Sequence, residues 1–176
     1  MRKILLVFFT AMLCTGIMGR QTSDTLKASC DDSLGVVIPD TGSSRIVEIN
    51  RLLRFADQHL GTPYRYGGKC PAGFDCSGFV RYCFSQTQGI TLSPNATYYH
   101  NHGIKVHPSS ARPGDVICFT GSNSRNRSIG HVGIIAEVTP TNIYFIHASV
   151  HHGIRYEALS SGYYKTRFLQ IRRVLM

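Results

Sequence analysis

Residues 73 to 80 read GFDCSGFV and set a thiol where it could react. Cys76 follows Asp75 and precedes Ser77 and Gly78, and the apolar run begins only at Phe79. A structural cysteine sits among apolar side chains and is chemically idle there. This one falls where a helix should begin. A helix start carries unpaired backbone N–H groups and a partial positive charge. Both favour thiolate over thiol, and the same N–H groups can hold the oxyanion formed when sulfur attacks an acyl carbon. Glycines on either side let a substrate backbone come close.

A nucleophile of this kind needs a base on a rigid element. The chain has eight histidines. His59 falls near the end of a helical pattern and reads as surface. His100, His102 and His107 lie in irregular polar sequence, and His151 and His152 in a turn. Only His131, which opens HVGIIAEV, and His147, within IYFIHAS, lie in strand patterns. Gly130 and Gly133 leave space around the first ring, and Phe145 and Ser149 share the face of the second. The connection between the two segments is short, so they are expected to pair as a hairpin. One imidazole could then orient the other, giving nucleophile, base and orienting group from three elements. Taken singly, each histidine is more often structural than catalytic.

The elements that would hold these groups follow from periodicity. In SSRIVEINRLLRFADQHLG, apolar residues at Ile46, Ile49, Leu52, Leu53, Ala56 and Leu60 keep helical spacing, with Ser44 placed to cap the start and Gly61 to end it. CSGFVRYCFSQTQ predicts a second helix whose buried stripe is Phe79, Val80, Cys83 and Phe84. Cys83 is then core. GTPYRYGGKCPAG, between the helices, reads as a loop, and 89–114 as irregular. Strands are expected at DVICF, HVGIIAEV, NIYFIHAS, GIRYEAL and RFLQIRRVL. Helices first and strands afterwards predict an α+β domain over 45–176, with one mainly antiparallel sheet of about five strands.

Residues 1–19 carry Arg2 and Lys3 and then the apolar run ILLVFFTAMLCTGIM. That order is expected of a secretory signal, and the run is short against the roughly 20 residues of a membrane span. Lipidation at Cys14 is the alternative, disfavoured by Leu13 immediately before it. Residues 20–44 read as a tether. Export to the periplasm or cell envelope is therefore expected, with no stable membrane span.

The formal net charge is +9, which suits an acidic polymer or simply a solvated surface. Nucleic acid is not expected, because no basic helix, aromatic strand motif or zinc-finger spacing is present. No metal or other cofactor is expected either: there is no C-x-x-C and no H-E-x-x-H. Removal of the signal would leave Cys30, Cys70, Cys76, Cys83 and Cys118, an odd number, so at least one lacks an internal partner. Cys70 and Cys118 read as inert rather than paired. Asp115, after Pro113-Gly114, reads as a turn former.

Five motifs taken together resemble the NlpC-type cell-wall cysteine peptidases, which have a papain-like fold. They are GTPYRYGG (61–68), GFDCSGFV (73–80), RPGDVICF (112–119), GHVGII (130–135) and FIHAS (145–149), in matching order and spacing. The resemblance implies a nucleophile at Cys76, a general base at His131 and a third residue at His147. It implies that the Tyr64 hydroxyl lies at the active site and that Asp75 and Ser77 contact a short peptide stem. The implied reaction is hydrolysis of peptidoglycan stem peptides by a monomer, at the bond between the D-glutamate γ-carboxyl and a diamino acid. A glutamine usual in that family after the second helix is missing from LSPNATYYHNHG, where Tyr98 or Tyr99 stands, so this segment is expected to border the cleft and alter the accepted peptide. Two rival readings keep the fold: a thiol amidase or acyltransferase on another acyl substrate, and a wall-peptide-binding module without turnover.

Overall fold

The computed structural model describes residues 41–123 and 125–176. The expected signal at 1–19 and nearly all of the tether lie outside the described residues. Helix α1 spans Thr41–Asp57 and so begins ahead of Ser44, the expected cap. Leu52 and Ala56 are fully buried, but Ile46 and Leu60 of the expected stripe are exposed. Gln88, the last residue of α2 (Cys76–Gln88), donates to the Glu48 carbonyl at 2.9 Å. Turns of α1 that precede Glu48 therefore run past the end of α2, which leaves Ile46 exposed. Leu60 comes after the helix has closed into a turn, out of phase with the stripe. Gly61 ends this segment with φ +79° and donates to the Ile154 carbonyl at 2.9 Å.

The loop between the helices is more ordered than its composition suggests. It contains a two-stranded ribbon, β1 (Lys69–Cys70) with β2 (Gly73–Phe74). Tyr64 bridges Phe74, and the amides of Phe74 and Arg65 bond Pro63 O and Phe74 O at 3.2 and 2.9 Å. The loop is thus stitched to the residues just before α2, which draws Tyr64 toward Cys76. His59 belongs to an aromatic cluster with Phe55, Phe74 and Tyr82, rather than to the open surface expected.

Helix α2 buries Phe79, Val80, Cys83 and Phe84, as its periodicity predicts, and Gly89 ends it in the left-handed region. The main sheet has six strands in the order β3-β8-β4-β5-β6-β7, every pair antiparallel. They are β3 (Ile104–Val106), β4 (Val116–Thr120), β5 (Ile129–Val138), β6 (Ile143–Ser149), β7 (Gly153–Ala158) and β8 (Phe168–Arg173). The strand beyond the expected five is β3, three residues long, at the edge and inside the segment read as irregular. A short helix, α3 (Gly162–Arg167), also escaped the sequence reading.

Alternation along the strands gives the sheet two apolar faces. Val116, Cys118, Val132, Ile134, Ile146 and Ala148 face the helices, with Leu52, Phe79 and Cys83. Ile117, Phe119, Ile135 and Phe145 form a second cluster, against which Tyr164 of α3 and Phe168 pack. Asp115 does more than turn the chain. Its carboxylate accepts the Arg112 amide at 2.9 Å and a forked pair of bonds from Arg173 at 2.8 Å each. Cys70, Cys76, Cys83 and Cys118 are all free thiols.

One close approach fixes the angle at which α2 enters. The Asp75 amide donates to Gly68 O at 3.0 Å, and Gly78 lies directly against that same carbonyl. A Cβ at residue 78 would overlap the Gly68 oxygen. Gly78→Ala should therefore destabilise the domain by about 1–3 kcal/mol despite its higher helix propensity. Urea denaturation checks this, and an alanine variant as stable as the parent would show that α2 can shift without cost.

Candidate active site

Asp75 caps α2 with an extended backbone, and its Oδ1 accepts the Gly78 amide at 2.6 Å. The cap places Cys76 at the first helical position. Cys76 is only 7% exposed, yet it forms part of the wall of a cavity of about 580 Å³. Tyr64, His131, Glu157, Tyr164 and Arg167 line the same cavity. The first turn of α2 meets β5 here: the backbone amides of Val132, Ser77 and Cys76 itself are turned to the sulfur.

His131 stands beside that seam. Its Nε2 and the Nδ1 of His147 are 2.8 Å apart, with the rings nearly perpendicular at 87°. Strand register explains the meeting. Ile134 pairs with Ile146, so the two histidines sit diagonally across β5 and β6 on one face. Gly133 stands between them, and a Cβ there would crowd the His147 Cβ and the Phe145 ring. His147 is fully buried behind His131, and its other nitrogen, Nε2, lies 3.2 Å from the Tyr164 hydroxyl. Cys76, His131, His147 and Tyr164 therefore follow one another, with the buried His147 between two residues of the cavity wall, His131 and Tyr164.

The electrostatics correct one expectation. Burial pushes the Cys76 thiol up, and the Asp75 carboxylate adds to the effect; the three amides oppose it without overcoming it. The helix start does not leave Cys76 a standing thiolate, because the sulfur has lost more hydration than these amides restore. Burial likewise holds His131 down to about 4, and His147 well below the ordinary histidine range. At neutral pH the resting pair is a thiol beside an uncharged imidazole. That imidazole is a competent base, and the proton leaves sulfur as the new S–C bond forms.

The remaining sequence candidates separate. Tyr64 is half-buried at the cavity, its phenol pushed up to about 12 by burial and then by the proximity of Cys76 and Asp75. Tyr66 is 93% exposed and lies outside the cavity wall. Asp75 and Ser77 do not line the cavity. Ser77 is buried and donates to Pro94 O at 2.6 Å, and its Oγ also lies 3.0 Å from Asp75 Oδ1. Their geometry is that of a cap and a brace. The segment expected to border the cleft does not border it either. Tyr99 is fully buried in the core, Tyr98 stacks on His102, and Pro94 buttresses the first turn of α2. Among the described residues, no helix is long and apolar enough to cross a membrane, and no cluster of His, Cys, Asp or Glu could hold a metal ion.

Comparison with known proteins agrees with this geometry. The profile of the NlpC/P60 family matches residues 61–173. The chain is 36% identical over 163 residues to the murein DD-endopeptidase MepS/murein LD-carboxypeptidase of Escherichia coli, covering 92% of this chain and 78% of that protein. It is 40% identical over 119 residues to the gamma-DL-glutamyl hydrolase of Bacillus subtilis; the match takes in 67% of this chain but only 27% of that longer protein. Among solved structures, an NlpC/P60 family protein from Bacillus cereus superposes with a TM-score of 0.65 at 25% identity, over 73% of this chain and 40% of the other. The NlpC/p60 domain of the peptidoglycan hydrolase SagA gives 0.58 at 28% identity, over 71% and 97%.

The neutral resting pair has a kinetic signature. His131 serves as base above its lowered pKa, and the thiol keeps its proton until above the ordinary cysteine range. The rate should therefore stay level from about pH 5 to about pH 8.5, with loss of activity below as the pH nears the lowered value of about 4 and His131 is protonated. A kcat/KM profile against pH measures this. A bell with an acid limb near 6.5 would show an imidazole unaffected by burial.

Proposed function

The chain belongs to the NlpC/P60 family of papain-like cysteine peptidases, and from that premise we propose that it hydrolyses peptide bonds in the stem peptides of peptidoglycan. The observation that carries the proposal is the cavity that holds the Cys76 side chain and His131 together, with His147 bonded behind the base. The Cys76 thiol attacks the carbonyl carbon of the scissile amide while its proton passes to His131. The helix-start amides lie where the developing oxyanion needs donors. His131 then gives its proton to the departing amine, leaving a thioester. Water, deprotonated by the same imidazole, releases the acid and restores the thiol.

Tyr64, near Cys76 on the same cavity wall, is suited to contact the substrate beside the reacting carbon. Asp75 supports this from behind, through its effect on Tyr64 and its cap on α2; Ser77 holds the turn. Arg167 adds a cation to the cavity, its guanidinium 3.8 Å from the centre of the Tyr163 ring. A cation there suits the carboxylates that such peptides carry. Export through the signal at 1–19 would bring a monomeric enzyme to its substrate in the cell envelope.

We propose the bond between the D-glutamate γ-carboxyl and the diamino acid as the target. The similarity to a protein named for γ-glutamyl hydrolysis supports it. A second reading has its own support: the relative matched over 92% of this chain is named for DD-endopeptidase activity, which would cut cross-links instead. Digestion of intact sacculi and of a defined tetrapeptide, followed by mass spectrometry, separates the two. Cleavage at γ-glutamate removes the diamino acid from the sugar-linked dipeptide, whereas cleavage of cross-links turns dimers into monomers with intact stems. Cys76→Ala and His131→Ala should each lower kcat by about 10³ or more. Full turnover by Cys76→Ala, or hydrolysis only of unrelated esters and amides by the parent, would overturn the proposal.

A further inference from the structure

We propose that Tyr164 is a positioning residue that selects the tautomer of His147 and, through it, of the base His131. The inference rests on the reading of Cys76 and His131 as nucleophile and base. A third residue that is itself a histidine creates an ambiguity, because a neutral imidazole nitrogen can either donate or accept. Two proton arrangements satisfy the 2.8 Å bond between His131 Nε2 and His147 Nδ1. In the productive one, His131 Nε2–H donates to His147 Nδ1, and His131 Nδ1 is bare for the thiol proton. In the other, His147 Nδ1–H donates to His131 Nε2. His131 then carries its proton on Nδ1 and cannot act as a base toward sulfur.

The hydroxyl 3.2 Å from His147 Nε2 decides between them through the direction of its own hydrogen, because a phenol both donates and accepts. The productive arrangement puts a proton on His147 Nε2, which needs an acceptor, and the Tyr164 oxygen supplies one. This requires the phenol's own hydrogen to point elsewhere, and the surrounding charges favour that. Glu157 shares the cavity wall with Tyr164 and pairs with Phe145, the ring on which Tyr164 packs; a carboxylate that can only accept draws the phenol dipole to its side and leaves a lone pair to His147. Arg155 holds Glu157 by a 3.0 Å ion pair and stands opposite His147 in the strand pairing. Its positive charge, with that of Arg167 on the far side of Tyr164, disfavours any second proton on the row. Phe119 and Phe145 pack on the Tyr164 ring at 5.3 and 5.0 Å and fix where the oxygen lies. No proton travels past His131 during the reaction: the thiol proton rests on Nδ1, and His147 stays neutral.

The test reads the tautomer directly. Long-range ¹H–¹⁵N spectra of the full chain labelled at histidine should show His131 protonated at Nε2 and bare at Nδ1. A parent protein with the proton on Nδ1 overturns the proposal without any substitution. In Tyr164→Phe, His131 should shift toward the Nδ1–H form, and kcat should fall about tenfold as the competent fraction falls, with melting temperature unchanged. In a His147→Ala background the same substitution should change kcat by less than about twofold, since the row is already cut. An equal loss in both backgrounds, or an unchanged tautomer in Tyr164→Phe, overturns the proposal. The tautomer readout needs no turnover, so its failure is distinct from that of the catalytic reading, which rests on Cys76→Ala and His131→Ala.

Discussion

The whole site depends on one seam, where the first turn of α2 presses against the start of β5. There the Val132 amide is turned to the Cys76 sulfur, and His131, the residue before it, is carried to the cavity wall. Two glycines set the positions of the two segments that meet there. Gly78 lets the helix lie on the Gly68 carbonyl, and Gly130 lets β5 pass within side-chain distance of Gly121 at the end of β4. Neither contact does chemistry. The first removes a side chain that would push α2 off the preceding loop and the second one that would push β5 off the end of β4, and a sulfur even 1 Å farther from the ring would lose much of its reactivity.

Close packing has an electrostatic consequence. The dense surroundings that fix the rings also strip water from them, so the charged forms of thiol and imidazoles are all disfavoured together. A helix start can lower a cysteine pKa where the sulfur remains hydrated or has a cation beside it. Here both conditions fail: Cys76 is nearly buried and its neighbouring carboxylate is Asp75. The energy of charge separation is therefore met only when the substrate carbonyl accepts electron density. Preorganised amides then act on the transition state rather than on the resting enzyme.

Much of this was legible from residue types. The stripe of α2 and the strands that carry His131 and His147 follow from period, and the short hairpin between those strands indicated that one histidine could orient the other; the shift of register between Ile135 and Glu137 that puts both rings on one face left no mark in the sequence. What escaped the sequence has physical causes. β1, β2 and β3 are two or three residues long, too short for alternation to register. Ile46 and Leu60 fit the helical period of α1, but period says nothing of where the partner helix stops. Asp75 and Ser77 were expected at the substrate because the family resemblance implied it. Their partners, Gly78 and Pro94, could be identified only once the chain was folded.

α3 is the instructive omission. Its sequence, GYYKTR, opens with glycine and carries two adjacent tyrosines, so it has no amphipathic period to detect. It nonetheless supplies Tyr164 to the buried histidine row, and both Tyr163 and Arg167 to the cavity wall. Six residues near the C-terminal end of the chain thus do what the polar segment after α2 was expected to do. That segment packs inward instead, because Tyr99 and Leu92 are large and apolar enough to be drawn into the core. Its missing glutamine consequently has no direct route to the substrate. The side chains that reach the open space stand instead on α3, the end of β4 and the turn after β6.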